Sequence, residues 1–154
     1  MRRAALISAS CAALLALAGC GGAEGVSSGA TVSVYAAASL CAGAQRGLAE
    51  AGSAAGSVRV RVLCLEPERS GGRLRLATVG ANARRATEDS SAVAYLEASD
   101  PAANRFAEPI LESADLGWSE ARSGAAGVRR VLRAIAAAGT GSVREAVREA
   151  LEAS

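Results

Sequence analysis

Apolar and polar residues alternate in two short stretches of the chain, 31–35 and 58–65, and both stretches are rich in β-branched side chains. Alternation with a period of two places the apolar residues on one face of a strand, so both stretches are predicted to be strands. The apolar run 91–96 has the length of a third strand, and 116–121 is predicted as at most a short edge strand. The pattern therefore predicts a sheet of three to four strands.

Between these strands, apolar residues recur at intervals of three and four, which is typical of a helix face. This spacing predicts helices over 39–51 and 73–89. Asp100 and Pro101 supply the N-cap and the first helical position that favour the start of a third helix. Pro109 is expected to bend that helix or to end its regular bonding.

Two further amphipathic helices are predicted at the end of the chain. One carries the apolar stripe of 128–135 and ends at Gly139. The other begins with Ser142 and Glu145, which form a capping box. We expect both apolar stripes to pack on the protein's own sheet rather than to bind a partner.

Strands and helices thus alternate along the chain, which predicts an α/β fold. The expected architecture is a three-layer, mostly parallel open sheet flanked by helices, in a single domain over residues 31–154. In open sheets of this kind, ligands bind at the carboxyl ends of the strands. The candidate loops are therefore 36–39, 97–101 and 120–124.

The first twenty residues have the organisation of an export signal. Two arginines precede an apolar run, 4–18, that is shorter than the roughly 20 residues needed to span a membrane. The tetrapeptide Leu-Ala-Gly-Cys, which ends at Cys20, resembles the lipobox of bacterial lipoproteins. That resemblance implies cleavage before Cys20, hence a signal peptide over 1–19, and a lipid on the sulfur of Cys20. The small residues that follow have nothing to bury, so 20–30 is predicted to be the lipidated cysteine and a flexible tether. We expect an exported protein held on the outer face of the bacterial cell membrane; the alternative is a buried N-terminal helix.

Composition narrows the function classes. The chain has 17 basic and 15 acidic residues, and the two signs balance once the arginines of the signal are removed, which argues against a nucleic-acid partner. It has no His and no Lys, so the usual His-dependent hydrolytic sites, His-ligated zinc and Lys-based chemistry are excluded. Glu88 and Asp89 could transfer protons, but charges at a helix end are commonly solvated. The sequence therefore predicts neither an enzyme nor a cofactor or metal site.

Two of the four cysteines, Cys41 and Cys64, fall in the predicted domain, whereas Cys11 falls in the signal. Pairs of cysteines in exported proteins usually oxidise, so a disulfide between Cys41 and Cys64 is predicted. Adjacent parallel strands would bring them close enough to form one. A free reactive thiol is the alternative, but the chain has no His to activate it.

The middle of the chain carries a family resemblance. An Ala-rich helix ends at Asp89, the strand Ala-Val-Ala-Tyr follows at 92–95, and Pro-Ile-Leu-Glu at 109–112 leads to a second Ser-containing loop. This order resembles the first lobe of type I periplasmic solute-binding proteins of the leucine or branched-chain amino-acid kind, which serve ABC transporters. The resemblance covers roughly 31–125. It implies a small polar ligand such as an amino acid, and a second lobe or an ABC permease as a partner.

The topology and the resemblance together place a ligand site in the loops at the carboxyl ends of the strands. Ser99 and Ser123 would supply hydroxyl groups, and Arg122 would supply a cation for a ligand carboxylate. Asp100 would either contact an ammonium group or only cap its helix, and the proline that follows it favours the cap. The full set of candidate ligand-binding residues is Ala37, Ser39, Ser99, Asp100, Arg122 and Ser123.

Two departures from the family limit what the resemblance implies. The loop 97–101 carries two carboxylates where family members usually have Gly and Ser, and these would repel a ligand carboxylate. Family members hold the ligand between two lobes, whereas this sequence matches one. We therefore expect a lipid-anchored, extracytoplasmic solute-binding-like protein, linked to ABC transport or sensing and incomplete as a single lobe. The alternative is a structural or interaction lipoprotein, or a truncated remnant, with no ligand.

Overall fold

A computed structural model describes residues 30–139 and 143–154 of the chain. The predicted signal peptide over 1–19, the lipidated Cys20 and nearly all of the tether therefore lie outside the described residues. Ser142 of the predicted capping box also lies outside them. In the described part of the chain, no helix is both long enough and apolar enough to cross a membrane.

The described residues form seven strands and five helices. The strands are β1 (Thr31–Ala36), β2 (Ala54–Ala55), β3 (Val58–Cys64), β4 (Arg69–Ser70), β5 (Arg73–Leu74), β6 (Ala92–Ala98) and β7 (Gly117–Ala121). The helices are α1 (Ala38–Glu50), α2 (Leu76–Glu88), α3 (Pro101–Glu112), α4 (Gly124–Ala138) and α5 (Val143–Glu152). Helix α3 continues through Pro109 to its end.

The main sheet has the strand order β2-β3-β1-β6-β7. Strands β3, β1, β6 and β7 are parallel, and only the two-residue β2 at the edge is antiparallel. The predicted α/β fold with a mostly parallel open sheet is confirmed. The sheet has five strands rather than three to four because β2 is too short to show any periodicity. It follows a turn in which Gly52 and Ser53 have positive φ angles of 79° and 59°.

Helices cover both faces of the sheet, which gives the three predicted layers. Helices α1, α4 and α5 share an apolar core with one face, where Val34 and Val62 are buried in register. Helices α2 and α3 cover the opposite face, where Tyr35 and Tyr95 lie side by side. The apolar stripes of α4 and α5 are buried in the first of these cores, as predicted, so they present no apolar face to a partner.

The segment before α2 differs from the prediction. The helix expected over 73–89 begins only at Leu76, because Arg73 and Leu74 pair with Arg69 and Ser70 in a small hairpin. The two residues of its turn are Gly71 and Gly72, with φ angles of 57° and 78°. Positive φ at both positions is what a two-residue hairpin turn of type I′ requires. This hairpin extends from the carboxyl end of β3.

A disulfide joins Cys41 of α1 to Cys64 at the end of β3, with their Cα atoms 5.4 Å apart. That separation lies inside the window of about 4.4–6.8 Å within which disulfides form. The geometry that the predicted pair needs is therefore present. It fixes the first helix to the neighbouring strand at the carboxyl end of the sheet.

Arg144 fastens α5 to the opposite end of the sheet. Its guanidinium group donates hydrogen bonds to the carbonyl oxygens of Thr87, Asp89, Ala92 and Ala114, at distances of 2.6 to 3.3 Å. These carbonyls belong to the end of α2, to β6 and to the turn before β7. One side chain thus connects the last helix to three other segments.

Candidate functional site

The sheet has one point at which the direction of chain progression reverses, between β1 and β6. From β1 the chain passes through α1 on one face, and from β6 it passes through α3 on the other. The two loops therefore diverge and leave a crevice beyond the carboxyl ends of the strands, where open α/β sheets bind ligands. A cavity of about 390 Å³ lies in this crevice, lined by Ala37, Ala38, Ser39, Pro67, Glu68, Arg69, Glu97, Ala98, Ser99 and Asp100.

Four of the six predicted ligand-binding residues line this cavity, namely Ala37, Ser39, Ser99 and Asp100. Arg122 and Ser123 do not. They follow β7, which is separated from β1 by β6, so their loop lies outside the crevice. The Ser123 hydroxyl instead accepts a hydrogen bond from the amide of Ala126, at 3.3 Å, and caps α4.

The hairpin after β3 supplies the side of the cavity that the sequence did not reveal. Arg69 on β4 donates from Nε to Oδ2 of Asp100 at 2.9 Å, and from Nη1 to the carbonyl oxygen of Gly72 at 3.0 Å. The hydrogen bond from Arg69 holds the pKa of Asp100 below its usual value. Asp100 also accepts from the amides of Ala102 and Ala103, which confirms the favoured interpretation of this residue as the cap of α3.

Glu97 forms the buried floor of the cavity. It lies near the end of β6, and only 1% of its surface is exposed. Oε1 accepts a hydrogen bond from the amide of Ala98 at 3.0 Å, while Oε2 is buried and has no hydrogen-bond partner among the described residues. Burial, together with the negative charge of Glu68, raises the pKa of Glu97 to about 8.

Glu68 is held in place by the helix layer below it. Its Oε1 accepts hydrogen bonds from Nδ2 of Asn82 at 3.2 Å and from the hydroxyl of Tyr95 at 3.5 Å. Asn82 is itself buried in α2 and exchanges two more hydrogen bonds with the backbone of Glu66. The loop that carries Glu68 is therefore held both by α2 and by Tyr95 of β6.

Charged and hydroxyl side chains supply the polar part of the cavity lining. Its side chains include three carboxylates and one guanidinium group, and the guanidinium group is already paired with Asp100. Its hydroxyl groups, on Ser39 and Ser99, lie at the exposed mouth. Within residues 30–139 and 143–154, no three His, Cys, Asp or Glu residues cluster so that they could hold a metal ion. The cavity thus combines apolar walls with charged side chains that carry an excess of negative charge.

A signal for Glu97 was present in the sequence. The residue continues the apolar run 91–96 and stands two positions after Tyr95, so strand alternation places both on the same buried face. A carboxylate in that position is unusual, because carboxylates are rarely buried without a partner. Arg69 had no comparable signal, since its position depends on a hairpin of two-residue strands.

The fold and the cavity define an open-sheet α/β protein with a cavity, lined in part by charged side chains, at its topological switch point. The chain matches no protein-family model, and comparisons with curated proteins and with solved structures find no match either. What the protein does must therefore be argued from the site.

Proposed function

We propose that the chain is a lipid-anchored, extracytoplasmic protein that binds a small polar ligand, such as an amino acid, at the carboxyl ends of β1 and β6. In this proposal the lipid on Cys20 holds it at the outer face of the membrane. Ligand binding serves ABC transport or sensing, with a second lobe, another copy or a permease as the partner.

One observation carries this proposal, namely the cavity at the switch point with the buried Glu97 in its floor. The volume of about 390 Å³ lies within the range of about 300–1,000 Å³ typical of small-molecule sites. A perturbed titratable group in a cleft is a common sign of a functional site. A purely structural role would not require an unpartnered carboxyl group at this position.

The open mouth of the cavity supports the involvement of a second surface. Ser39, Arg69 and Ser99 are exposed, whereas the floor residues Ala37 and Glu97 are buried. The buried floor would shield one side of a bound ligand from water, whereas the side at the mouth would stay in contact with solvent. A partner that closes over the mouth would exclude that water and increase affinity.

Ligand screening tests the proposal. The processed protein is purified in mild detergent and screened by thermal shift against the amino acids, and each hit is then titrated while amide resonances are followed by NMR. We expect shifts confined to the loops 37–39, 67–69 and 97–100. The variant Ser99→Trp should block the cavity and abolish these shifts.

Ser90→Trp is the matched control, because Ser90 is also exposed but precedes β6 at the other end of the sheet. It should leave binding unchanged. Silence of the cavity loops up to millimolar ligand would contradict the proposal. The structural or interaction lipoprotein would then be the better account.

A further inference from the structure

Glu97 lines the cavity, and one of its carboxyl oxygens has no hydrogen-bond partner in the described part of the protein. Oε1 is taken by the amide of Ala98, whereas Oε2 is buried without a partner. A buried acceptor without a donor is unfavourable, because it has lost its water and gained nothing in exchange. A ligand that places an N–H group at Oε2 would remove that deficit.

The charges around the cavity select the sign of such a ligand. Glu68 and Asp100 line the cavity together with Glu97, and the one guanidinium group among the lining residues, that of Arg69, is engaged by Asp100 and by a backbone carbonyl. A carboxylate entering this cavity would meet like charge. A cation would meet opposite charge in a site partly removed from water, where the attraction is stronger.

The walls favour an organic cation over a metal ion. Much of the lining is apolar and comes from Ala37, Ala38, Pro67 and Ala98. The described residues contain no cluster of three or more metal-ligating side chains. A short aliphatic body therefore suits the space between the loops, with its charged end directed at the floor.

The single unpaired oxygen of Glu97 also determines which type of cationic group can bind. Oε1 already accepts a hydrogen bond and Oε2 alone is unpaired, so the paired geometry that a planar guanidinium group makes with both oxygens of a carboxylate is not available. A primary ammonium group has three donors that rotate about one bond and needs only one acceptor in a given direction. A quaternary ammonium group has no donor at all.

We propose that the cavity binds a small aliphatic primary ammonium ion, with Oε2 of Glu97 as the acceptor of its N–H group. The inference rests on the proposed function and names the class of its ligand. It corrects the expectation that Arg122 receives a ligand carboxylate, since Arg122 lies outside the cavity.

Binding should release a proton from Glu97. The titratable and charged groups that face it are Glu68 from the loop after β3, Asp100 and its partner Arg69, Tyr95 on the same strand and Glu120 on β7. With its pKa raised to about 8, Glu97 is mostly protonated near neutral pH. Only the ionised form attracts the cation, so the apparent affinity should rise about tenfold between about pH 7 and about pH 9.

Three probes of equal length test the inference on the processed protein in detergent: butylammonium, butanol and butyrate. An alkylammonium ion has a pKa near that of Lys, about 10.4, and stays charged throughout this interval. NMR locates binding, and calorimetry in buffers of different ionisation enthalpy counts the protons released. We expect butylammonium alone to shift the resonances of the cavity loops, with about tenfold tighter binding at the higher pH.

The variant Glu97→Gln keeps the shape of the side chain and removes its charge. It should weaken butylammonium binding at least about tenfold at the higher pH and abolish both the pH dependence and the proton release. Glu120→Gln is the matched control, since Glu120 is in register with Glu97 on the next strand but is exposed and outside the cavity. At the higher pH, where Glu97 is ionised in both proteins, it should bind butylammonium as the unsubstituted protein does. Far-UV circular dichroism confirms that both variants fold, and Ser99→Trp provides a blocked cavity with Glu97 intact.

The outcomes separate this inference from the proposed function. Shifts in the cavity loops with butyrate or butanol, but not with butylammonium, would overturn the ammonium inference and leave ligand binding in place. Equal butylammonium affinity in Glu97→Gln would also overturn it. Amino acids and all three probes leaving the cavity loops unchanged would overturn both.

Discussion

Gly124 at the start of α4 is the position where a single methyl group should do most damage to the fold. A Cβ atom added there would lie less than 3.0 Å from the carbonyl oxygen of Leu40, the amide nitrogen of Ala44 and the carbonyl carbon of Gly43. All three are backbone atoms of α1, so no side chain can turn aside to make room. Helices α1 and α4 would have to separate.

The expected cost of Gly124→Ala follows from that geometry. Overpacking a well-packed core commonly costs about 1–3 kcal/mol, and more where the surroundings cannot relax. Here the clash is with a helix backbone that the disulfide at Cys41 holds against β3, so we expect at least about 3 kcal/mol. Since domains of this size are stable by about 5–15 kcal/mol, such a loss is a large part of the total.

Two glycines of α1 provide a graded comparison. A Cβ at Gly47 would lie 2.8 Å from the Cα atom of Ala125, which predicts a smaller loss than at Gly124. A Cβ at Gly43 would approach no atom closer than 3.4 Å, an ordinary contact. Gly43→Ala should therefore be neutral or stabilise by up to about 1 kcal/mol, since Ala favours helix over Gly.

Urea unfolding at constant oxidation state measures the series, with the single tryptophan, Trp118, as the fluorescent probe and circular dichroism as the second. The urea midpoint should be highest for Gly43→Ala, lower for Gly47→Ala and lowest for Gly124→Ala. A free energy of unfolding for Gly124→Ala within about 0.5 kcal/mol of that of the unsubstituted protein would refute the reasoning, because it would mean that α1 and α4 do not approach this closely.

Four further predictions concern other parts of the chain. Burial raises the pKa of Glu97 to about 8, so its contribution to stability is present at acid pH and is lost as pH rises from about 4.3 to 8. The loss is at most about 5 kcal/mol, and Glu97→Gln should flatten that part of the stability–pH curve. Cys20→Ala should abolish acyl labelling of the expressed protein; persistent label would exclude this residue as the lipid site. Reduction of the Cys41–Cys64 bond should lower the free energy of unfolding by about 3 kcal/mol, whereas an unchanged free energy of unfolding would show that the cysteines are not joined. Arg144→Met should cost about 3 kcal/mol or more, because it removes four hydrogen bonds from a charged group to partly buried backbone carbonyls, and hydrogen exchange should rise first in α5.

The elements of this fold were predictable where apolar periodicity is long enough to be seen. The strand predicted over 58–65 is Val58–Cys64, and the helix predicted from Pro101 is present. Strands β2, β4 and β5 were missed because two residues cannot display a period of two. The start of α2 was placed three residues early for the same reason, since the hairpin uses residues that also fit a helix face.

The residues of the candidate site were likewise predictable only in part. Ala37, Ser39, Ser99 and Asp100 were predictable because they follow strands, and the alternation of elements already places such loops at one edge of a sheet. Which loops meet there depends on the strand order, and the chain does not encode that order in any local pattern. Arg122 was assigned to the site for that reason. Its loop follows β7, however, and β6 lies between β7 and β1.

Glu97 connects the stability of the fold to the proposed activity. Most local features of this chain agree with one another: strand alternation, helix faces, caps and glycines all favour the same structure. The carboxyl group of Glu97 does not agree with them, because it is buried beside Glu68 and one of its oxygens has no hydrogen-bond partner in the described part of the protein. Such a conflict makes the folded protein less stable at neutral pH, and conflicts of this kind concentrate at functional sites because the same group is useful when a ligand arrives. An amide at this position would relieve the unfavourable burial and remove the charge that a cation needs, so the variant that stabilises the fold should be the one that loses the ligand.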